Sequence, residues 1–307
     1  MKYKEAGLVT FLQLLVYGLQ LGSIYALLAI GYTMVFGIIR MINMAHGDFL
    51  MIGSYAVYFL VSIFFADQMI GPAIALLVVM IAAGITGMIG VGVERIAYKP
   101  LRKRSTISTM IAAIGVSLFT QNFFRAIPAI GPNPRMGPKL LVDKLFFIGP
   151  VQLSMARIIV IILSLIIMAI LYAVVMNTKI GIQMRAVSCD KDASSLMGAD
   201  VNRVISTTFF IGAGLAAISG AFYANSYPVL TVTMGATLGN KAFIAAVIGG
   251  IGDIRGAVLG GYIMGVIEIM ISAVYSELAY GFSFVALIII LLFKPEGLLG
   301  KPMVEKV

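Results

Sequence analysis

Charged residues are scarce in this sequence. Asp, Glu, Lys and Arg make up 11% of its 307 residues, whereas hydrophobic residues make up 61%. Soluble globular proteins carry roughly 25% charged residues, so this composition excludes an ordinary water-exposed surface. Most of the surface must face lipid or other helices. The uncharged apolar runs are also too long for the alternating segments of about ten residues found in membrane β-barrels. The sequence therefore predicts an all-α polytopic membrane protein.

Metal-binding and catalytic side chains are equally scarce. One cysteine, Cys189, and one histidine, His46, exclude a disulfide framework and Cys- or His-rich metal sites. They also leave too few groups for the nucleophile, base and orienting residue of a membrane hydrolase. The glycine-rich phosphate loop followed by Lys and Ser or Thr is missing, so the chain cannot hydrolyse ATP by that route. We expect a non-catalytic chain that binds no metal and no cofactor.

Apolar segments predict a bundle of about eight to ten transmembrane helices, in a single transmembrane domain over residues 1–307. One helix over residues 8–39 would be about 48 Å long, well beyond the ~30 Å hydrocarbon core, so we expect a break near Gly31. The other predicted spans cover residues 49–66, 72–93, 107–124, 158–176, 204–223, 237–251, 257–275 and 282–293.

Lys and Arg predict the orientation of these spans. With ten spans and the N-terminus inside, most basic residues face the cytoplasm, and Arg125, Arg135, Lys139, Lys144 and Arg157 stay outside. This bias fits the positive-inside rule, so both termini are predicted to be cytoplasmic. It also explains the net charge of +9 through topology, with membrane lipid and not nucleic acid as the partner. The longest outer loop, residues 128–153, is rich in Pro and Gly and is predicted to be irregular.

Residues 177–203 join two spans but have the pattern of a short water-exposed helix. Ser188 or Asp190 can cap its N-terminus, and Gly198 can end it in a left-handed conformation. Helical spacing then gives a small apolar face of Ala193, Leu196 and Met197. Two interpretations are equally good: the helix rests on the bilayer or its own bundle, or it inserts into a groove of a cytoplasmic partner.

Polar groups within the spans need an explanation, because an ionisable side chain at a helix centre costs roughly 2.5 to 3.5 kcal/mol. Glu268 is expected deep in its helix, and structural pairing with Lys241, near a span boundary, is favoured over a role in lining a pathway. Asn43, His46 and Asp48 form a polar cluster beside the expected helix break. They either satisfy backbone groups freed by the break or act as a gate beside a translocation path.

Residues 192–198, Asp-Ala-Ser-Ser-Leu-Met-Gly, resemble the coupling helix of ABC importer permeases, which has Glu-Ala-Ala followed three residues later by Gly. Asp192 and Ser194 depart from that motif. Further matching stretches are residues 31–39, 42–48, 51–55, 181–187, 198–203 and 241–252. From near Gly18 to the tail at 301–307, the sequence resembles the LivH-type permeases of high-affinity branched-chain amino-acid importers.

This resemblance implies a bacterial cytoplasmic-membrane subunit that translocates Leu, Ile and Val. It implies three kinds of partner: a second, LivM-like permease, two cytoplasmic ABC ATPase subunits holding ATP and Mg, and a periplasmic amino-acid-binding protein. Its coupling residues would be Asp190, Asp192, Ala193, Ser194, Leu196, Met197 and Gly198. Two alternatives remain: a permease for urea, amides or simple sugars, and a self-sufficient secondary transporter with Glu268, Asp48 and His46 as an ion relay.

Overall fold

Helices carry almost all of the regular structure in this computed structural model, which describes residues 2–65, 70–102, 104–138, 140, 144–148, 151–227 and 229–300. The α-helices in these ranges are α1 Lys2–Ile39, α2 His46–Phe65, α3 Pro72–Val93, α4 Thr106–Ala126, α5 Met155–Asn177, α6 Lys179–Cys189, α7 Lys191–Leu196, α8 Val201–Ser226, α9 Met234–Gly249, α10 Ile254–Ser272 and α11 Ala279–Phe293. Eight helices in the described ranges are long and apolar enough to cross a membrane. The family resemblance at residues 301–307 lies outside the described residues.

The first helix does not break where the sequence predicts. α1 continues through Gly31 for 38 residues, and the chain turns only at Arg40, which has φ 60°. At about 1.5 Å per residue, α1 is roughly 57 Å long. Most of its apolar length is buried inside the bundle, so other helices and not lipid surround it. The prediction of a break near Gly31 is therefore wrong, because bilayer thickness does not limit an enclosed helix in this way.

Small residues bring the central helices into backbone contact. A Cβ on Gly22 of α1 would lie 2.8 Å from the Cα of Tyr262 on α10, and Gly18 meets Val266 in the same way. α2 and α8 touch similarly at Gly53 and Ala217. The four-residue glycine spacing thus marks helix crossings, as expected for close packing in lipid.

The bundle has two distinct ends. At the hairpin end, which carries the strands described below, the Arg157 guanidinium lies 3.7 Å from the centre of the Tyr17 ring. At the coupling end, which carries α7, Arg40 and Ser188 share a cavity with Gly252. α1 runs from the hairpin end to the coupling end, and α10 runs antiparallel to it.

The described ends of the chain lie at opposite ends of the bundle. α11 returns to the coupling end, where the backbone N–H groups of Leu298 and Leu299 donate to Ile248 and Gly249. The first turns of α1 extend from the hairpin end. Two cytoplasmic termini would instead place both described ends at one end of the bundle; the side of the membrane that each terminus faces stays a prediction. The difference arises because α1 crosses once as a continuous helix, whereas the prediction counted two crossings.

The loop at the hairpin end contains strands, which corrects the prediction of an irregular loop. Strand β2, Leu145–Ile148, pairs antiparallel with β3, Val151–Ser154. Upstream, β1, Arg135–Met136, pairs with β4, Val229–Leu230. The prolines of this loop do not fall within the described strands, so they do not interrupt the ladders.

Candidate functional site

The segment that resembles a coupling helix folds as two short helices, α6 and α7. Asp190 caps α7, and its Oδ1 accepts hydrogen bonds from the backbone N–H groups of Asp192 and Ala193, each at 3.0 Å. Gly198 adopts φ 86° just after α7. These findings confirm the Asp190 alternative for the cap and the left-handed end at Gly198. Ser188 belongs instead to α6, a separate helix that the sequence pattern did not distinguish.

α7 projects an apolar tip from the coupling end. Leu196 and Met197 are each 89% exposed, and Ala193 is also exposed. Ser194 faces inward, where its hydroxyl donates to the Asp190 carbonyl at 2.6 Å. Full burial of a Leu or Met side chain is worth about 1.5–3 kcal/mol, so this tip could anchor a docking partner.

The base of α7 is positively charged. Partial burial, then the nearby charges of Arg102 and Arg40, lower the pKa of Lys191, and Asp192 opposes this effect. These three cations come from three distant parts of the sequence. The coupling end therefore combines an apolar tip with basic residues around its base.

The linker of residues 40–45, between α1 and α2, contains Asn43, the first residue of the predicted polar cluster. The Asn43 side-chain oxygen accepts from the Ala45 N–H at 3.1 Å and from the Tyr98 hydroxyl at 2.7 Å. The Asn43 carbonyl also accepts from the His46 N–H at 3.0 Å. Asn43 therefore organises the start of α2, which agrees with the structural interpretation of the cluster.

His46 and Asp48 open α2 in buried positions, 1% and 2% exposed. The His46 ring packs between Tyr32 and Phe49, with centroids 4.5 and 5.8 Å away. Neither of its ring nitrogens has a hydrogen-bond partner among the described residues. Asp48 Oδ1 accepts from the Gln121 side chain of α4 at 3.0 Å, and within the described ranges its Oδ2 has no such partner. The His46 ring nitrogens and Asp48 Oδ2, unpaired among the described residues, are compatible with the predicted gate beside a translocation path, and that role stays a prediction.

Glu94 is a site residue that the sequence analysis missed. It is fully buried at the start of a π-helical turn, Glu94–Tyr98, that directly follows α3. It forms an ion pair with Arg102 and accepts from the Ser206 hydroxyl of α8 at 2.8 Å. An acidic residue at the end of a long apolar run, eight positions before an arginine, is the signal that would have found this pair.

Lys241 and Glu268 form the predicted pair. Lys241 Nζ lies 2.6 Å from Glu268 Oε1, and the Tyr25 hydroxyl of α1 donates to Oε2 at 2.9 Å. Lys241 lies in the middle of α9, not at a span boundary, and Glu268 lies one turn before the end of α10, not deep in its helix. Both positions correct the sequence analysis. The pair joins α1, α9 and α10, in keeping with a structural role.

Comparisons with known proteins extend over nearly the whole chain. Residues 14–291 match the family described as branched-chain amino acid transport system / permease component. The high-affinity branched-chain amino acid transport system permease protein BraD of Pseudomonas aeruginosa is 38% identical, over 97% of this chain and 98% of its own length. The corresponding LivH proteins of Escherichia coli strain K12 and Salmonella typhimurium are each 40% identical, over 97% of this chain and 98% of theirs.

The matches cover both the buried polar linker before α2 and the exposed α7 segment, and they confirm the resemblance found in the sequence. With eight apolar helices of spanning length in its described ranges, this chain belongs to the family of permease components of branched-chain amino acid transport systems.

Proposed function

We propose that this permease is one transmembrane subunit of an ATP-driven importer of branched-chain amino acids. The observation that carries the proposal is the exposed apolar tip of α7, Leu196 and Met197, on a bundle of membrane-spanning helices. A chain buried in lipid has little reason to hold such a tip in water unless another protein covers it. The names of the relatives supply the substrate class, Leu, Ile and Val.

The proposed partners are a second, LivM-like permease, two cytoplasmic ABC ATPase subunits and a periplasmic amino-acid-binding protein. ATP and Mg belong to the ATPase subunits, and this chain holds no cofactor. In the described ranges no three His, Cys, Asp or Glu side chains come together as a possible metal site. The family's description as a permease component supports a transport subunit without catalytic activity of its own.

The coupling end is proposed to face the cytoplasm. The coupling segment, α6 with α7, has four basic residues on or beside it: Arg40, Arg102, Lys191 and Arg203. Cytoplasmic segments of membrane proteins are rich in Lys and Arg. The hairpin end and the first turns of α1 then face outward, toward the binding protein.

The proposed mechanism is alternating access. Closure of the ATPases on ATP moves α7, and the attached helices α6 and α8 carry that movement into the bundle. A pathway of low charge suits a zwitterion with an apolar side chain. Permeases for urea, amides or simple sugars would need the same coupling, so substrate choice is tested separately by uptake.

The test is recovery of partners through a tag fused after Val307 and gentle solubilisation. We expect two ATPases and a second permease in fixed ratio, and loss of the ATPases when Gly198→Val strains the end of α7. Val is disfavoured at positive φ by about 1–2 kcal/mol. Gly131→Val is the matched control, since Gly131 has φ 66° and, like Gly198, open space around it, but lies in the loop at the hairpin end.

Recovery of a lone chain or homo-oligomer that transports without ATP would overturn this proposal in favour of a secondary transporter. Equal loss of the ATPases in both glycine variants would show a general folding defect and would count against docking at α7.

A further inference from the structure

Arg40 links the end of α1 to the coupling segment. It is the sole non-glycine residue of the described chain with positive φ, 60°, a conformation that is strained for an L-residue. Its guanidinium lies 3.4 Å from the carbonyl oxygen of Ser188, in the last turn of α6. Only Cys189 and the cap residue Asp190 separate Ser188 from α7. Movement of α7 therefore reaches Arg40 through one short turn.

A second route reaches the same linker from the other side of α7. Asn202 and Ser206 lie in the first two turns of α8, just after the coupling segment. Asn202 accepts from Arg102 at 2.7 Å, and Ser206 donates to Glu94 at 2.8 Å. Because Glu94 also pairs with Arg102, the start of α8 is fastened to the π-helical turn Glu94–Tyr98.

Tyr98 completes this second route. It is the last residue of the π-helical turn, is 1% exposed, and donates its hydroxyl hydrogen to Asn43 at 2.7 Å. π-helical turns within α-helices are rare and frequent at functional sites. The contacts on both sides of α7 therefore lead to the linker of residues 40–45, which ends three residues before Asp48.

We infer that Arg40, Asn43 and Tyr98 are positioning residues that transmit the movement of α7 to the start of α2, where His46 and Asp48 lie. The inference rests on the proposed function and deepens it, because it names the contacts through which the ATPases act on the pathway. Two independent contacts hold the linker, one at Arg40 and one at Asn43. Displacement of the coupling segment therefore shifts the first turn of α2 and is not absorbed by a flexible loop.

The surroundings leave the linker room to move. A cavity of about 260 Å³ lies beside Arg40 and Ser188 and is also lined by Phe36 and Asp253. Met44, in the middle of the linker, is 40% exposed. By contrast, the first turn of α2 is tightly packed, since a Cβ on Gly47 would meet Gly235 and Gly239 of α9. Movement of the linker is therefore passed to packed helices.

The first test compares two tyrosines that each lose only a hydroxyl. Tyr98→Phe removes the donor to Asn43, whereas Tyr55→Phe removes a buried hydroxyl with no hydrogen-bond partner among the described residues. The complete importer in proteoliposomes is assayed for leucine moved and for ATP hydrolysed. We expect Tyr98→Phe to keep ATP hydrolysis and to lower leucine moved per ATP roughly two- to tenfold, the effect of one lost hydrogen bond.

Tyr55→Phe should leave this ratio unchanged. An unchanged ratio in Tyr98→Phe would overturn the inference, and so would the same fall in both variants. A parallel fall of transport and hydrolysis in Tyr98→Phe would also overturn it, because that pattern indicates a merely structural role.

A second measurement needs neither ATPases nor substrate. Cys189 is the single cysteine and is exposed beside Ser188, so Met44→Cys creates a pair of spin-labelling sites across the Arg40 contact. On the full chain in detergent, Tyr98→Phe and Arg40→Gly should broaden the distance distribution between the labels, and Tyr55→Phe should not. Identical distributions in all variants would refute the linkage even if the importer assembles. Failure to recover ATPases would refute the proposed function while these distances still decide the linkage.

Discussion

At the scale of single residues, Arg40 carries two separable features. Its backbone ends α1 in the left-handed region, and its side chain reaches the Ser188 carbonyl. Glycine tolerates the backbone conformation and alanine does not, while both lack the guanidinium. Comparing the two substitutions therefore separates backbone strain from the side-chain contact.

We expect Arg40→Ala to be less stable than Arg40→Gly by about 1 kcal/mol, because only the alanine carries the cost of positive φ. The measurement is the thermal unfolding midpoint of the purified chain in one detergent. Equal midpoints, or a lower midpoint for glycine, would show that the turn after α1 relaxes to another conformation.

At the scale of helices, close contacts distinguish glycines that share one helix. A Cβ on Gly31 of α1 would lie 2.8 Å from Cε1 of His46 and 3.0 Å from the carbonyl oxygen of Gly212. A Cβ on Gly37, less than two turns later, would meet nothing within 4 Å. Gly31 is thus required by packing around His46, and Gly37 is not.

Gly31→Ala should lower the free energy of unfolding by about 1–3 kcal/mol, the usual cost of overpacking. Gly37→Ala should be neutral or stabilise by up to about 1 kcal/mol through helix propensity. Thermal midpoints of both variants test this pair. If Gly31→Ala proves as stable as Gly37→Ala, the His46 ring has a second accessible position.

The Lys241 and Glu268 pair joins α9 and α10, and substitutions can test whether it stabilises the fold or lines the pathway. Lys241→Met should destabilise by about 3 kcal/mol, because it leaves Glu268 as an uncompensated charge with a side chain only 13% exposed. The double variant Lys241→Met with Glu268→Met should recover most of that stability and also leucine uptake. Recovered stability with lost uptake would instead place the pair in the pathway.

Sequence rules for helix ends predicted correctly the features that depend on a single helix end. The span predicted for residues 72–93 coincides with α3, because Pro72 starts it and apolar residues fill it. Gly198 was predicted as the end of α7 from its backbone preference, and Asp190 was one of two predicted caps from its side chain. The continuity of α1 was missed, because hydropathy does not tell whether protein or lipid surrounds a helix.

Contacts between distant parts of the chain were also beyond the sequence pattern. Tyr98 and Asn43 are 55 positions apart, and Ser206 and Glu94 are 112 apart. Such pairs depend on how the helices are arranged, and no periodicity in one helix encodes them. The polar cluster at the start of α2 was therefore predicted, whereas the residues that contact it were not.

At the scale of the whole molecule, the two ends differ in what they present. The hairpin end has strands with exposed aromatic side chains such as Phe147, 69% exposed. The coupling end has Cys189 close to α7. If the coupling end faces the cytoplasm, these two positions lie on opposite sides of the membrane.

We expect a membrane-impermeant maleimide to label Phe147→Cys in a Cys189→Ser background from the outer side of intact inner-membrane preparations. Cys189 in the unchanged chain should react only after permeabilisation. Labelling of Cys189 before permeabilisation would reverse the orientation and would put residues 294–300, which lie at the same end of the bundle, outside.

The backbone contacts among the central helices limit where a solute can pass. The central helices come into backbone contact at small residues: α1 meets α10 at Gly22, α2 meets α8 at Gly53, and α2 meets α9 at Gly47. Parting these helices would open voids that nothing fills, so we expect them to stay in contact and to move together when the linker displaces the first turn of α2. Under the proposed function, these packed helices form one wall of a channel, and the proposed second permease forms the facing wall. Residues of both polypeptides would then contact the solute and determine selectivity, so changing the selectivity would require substitutions in both.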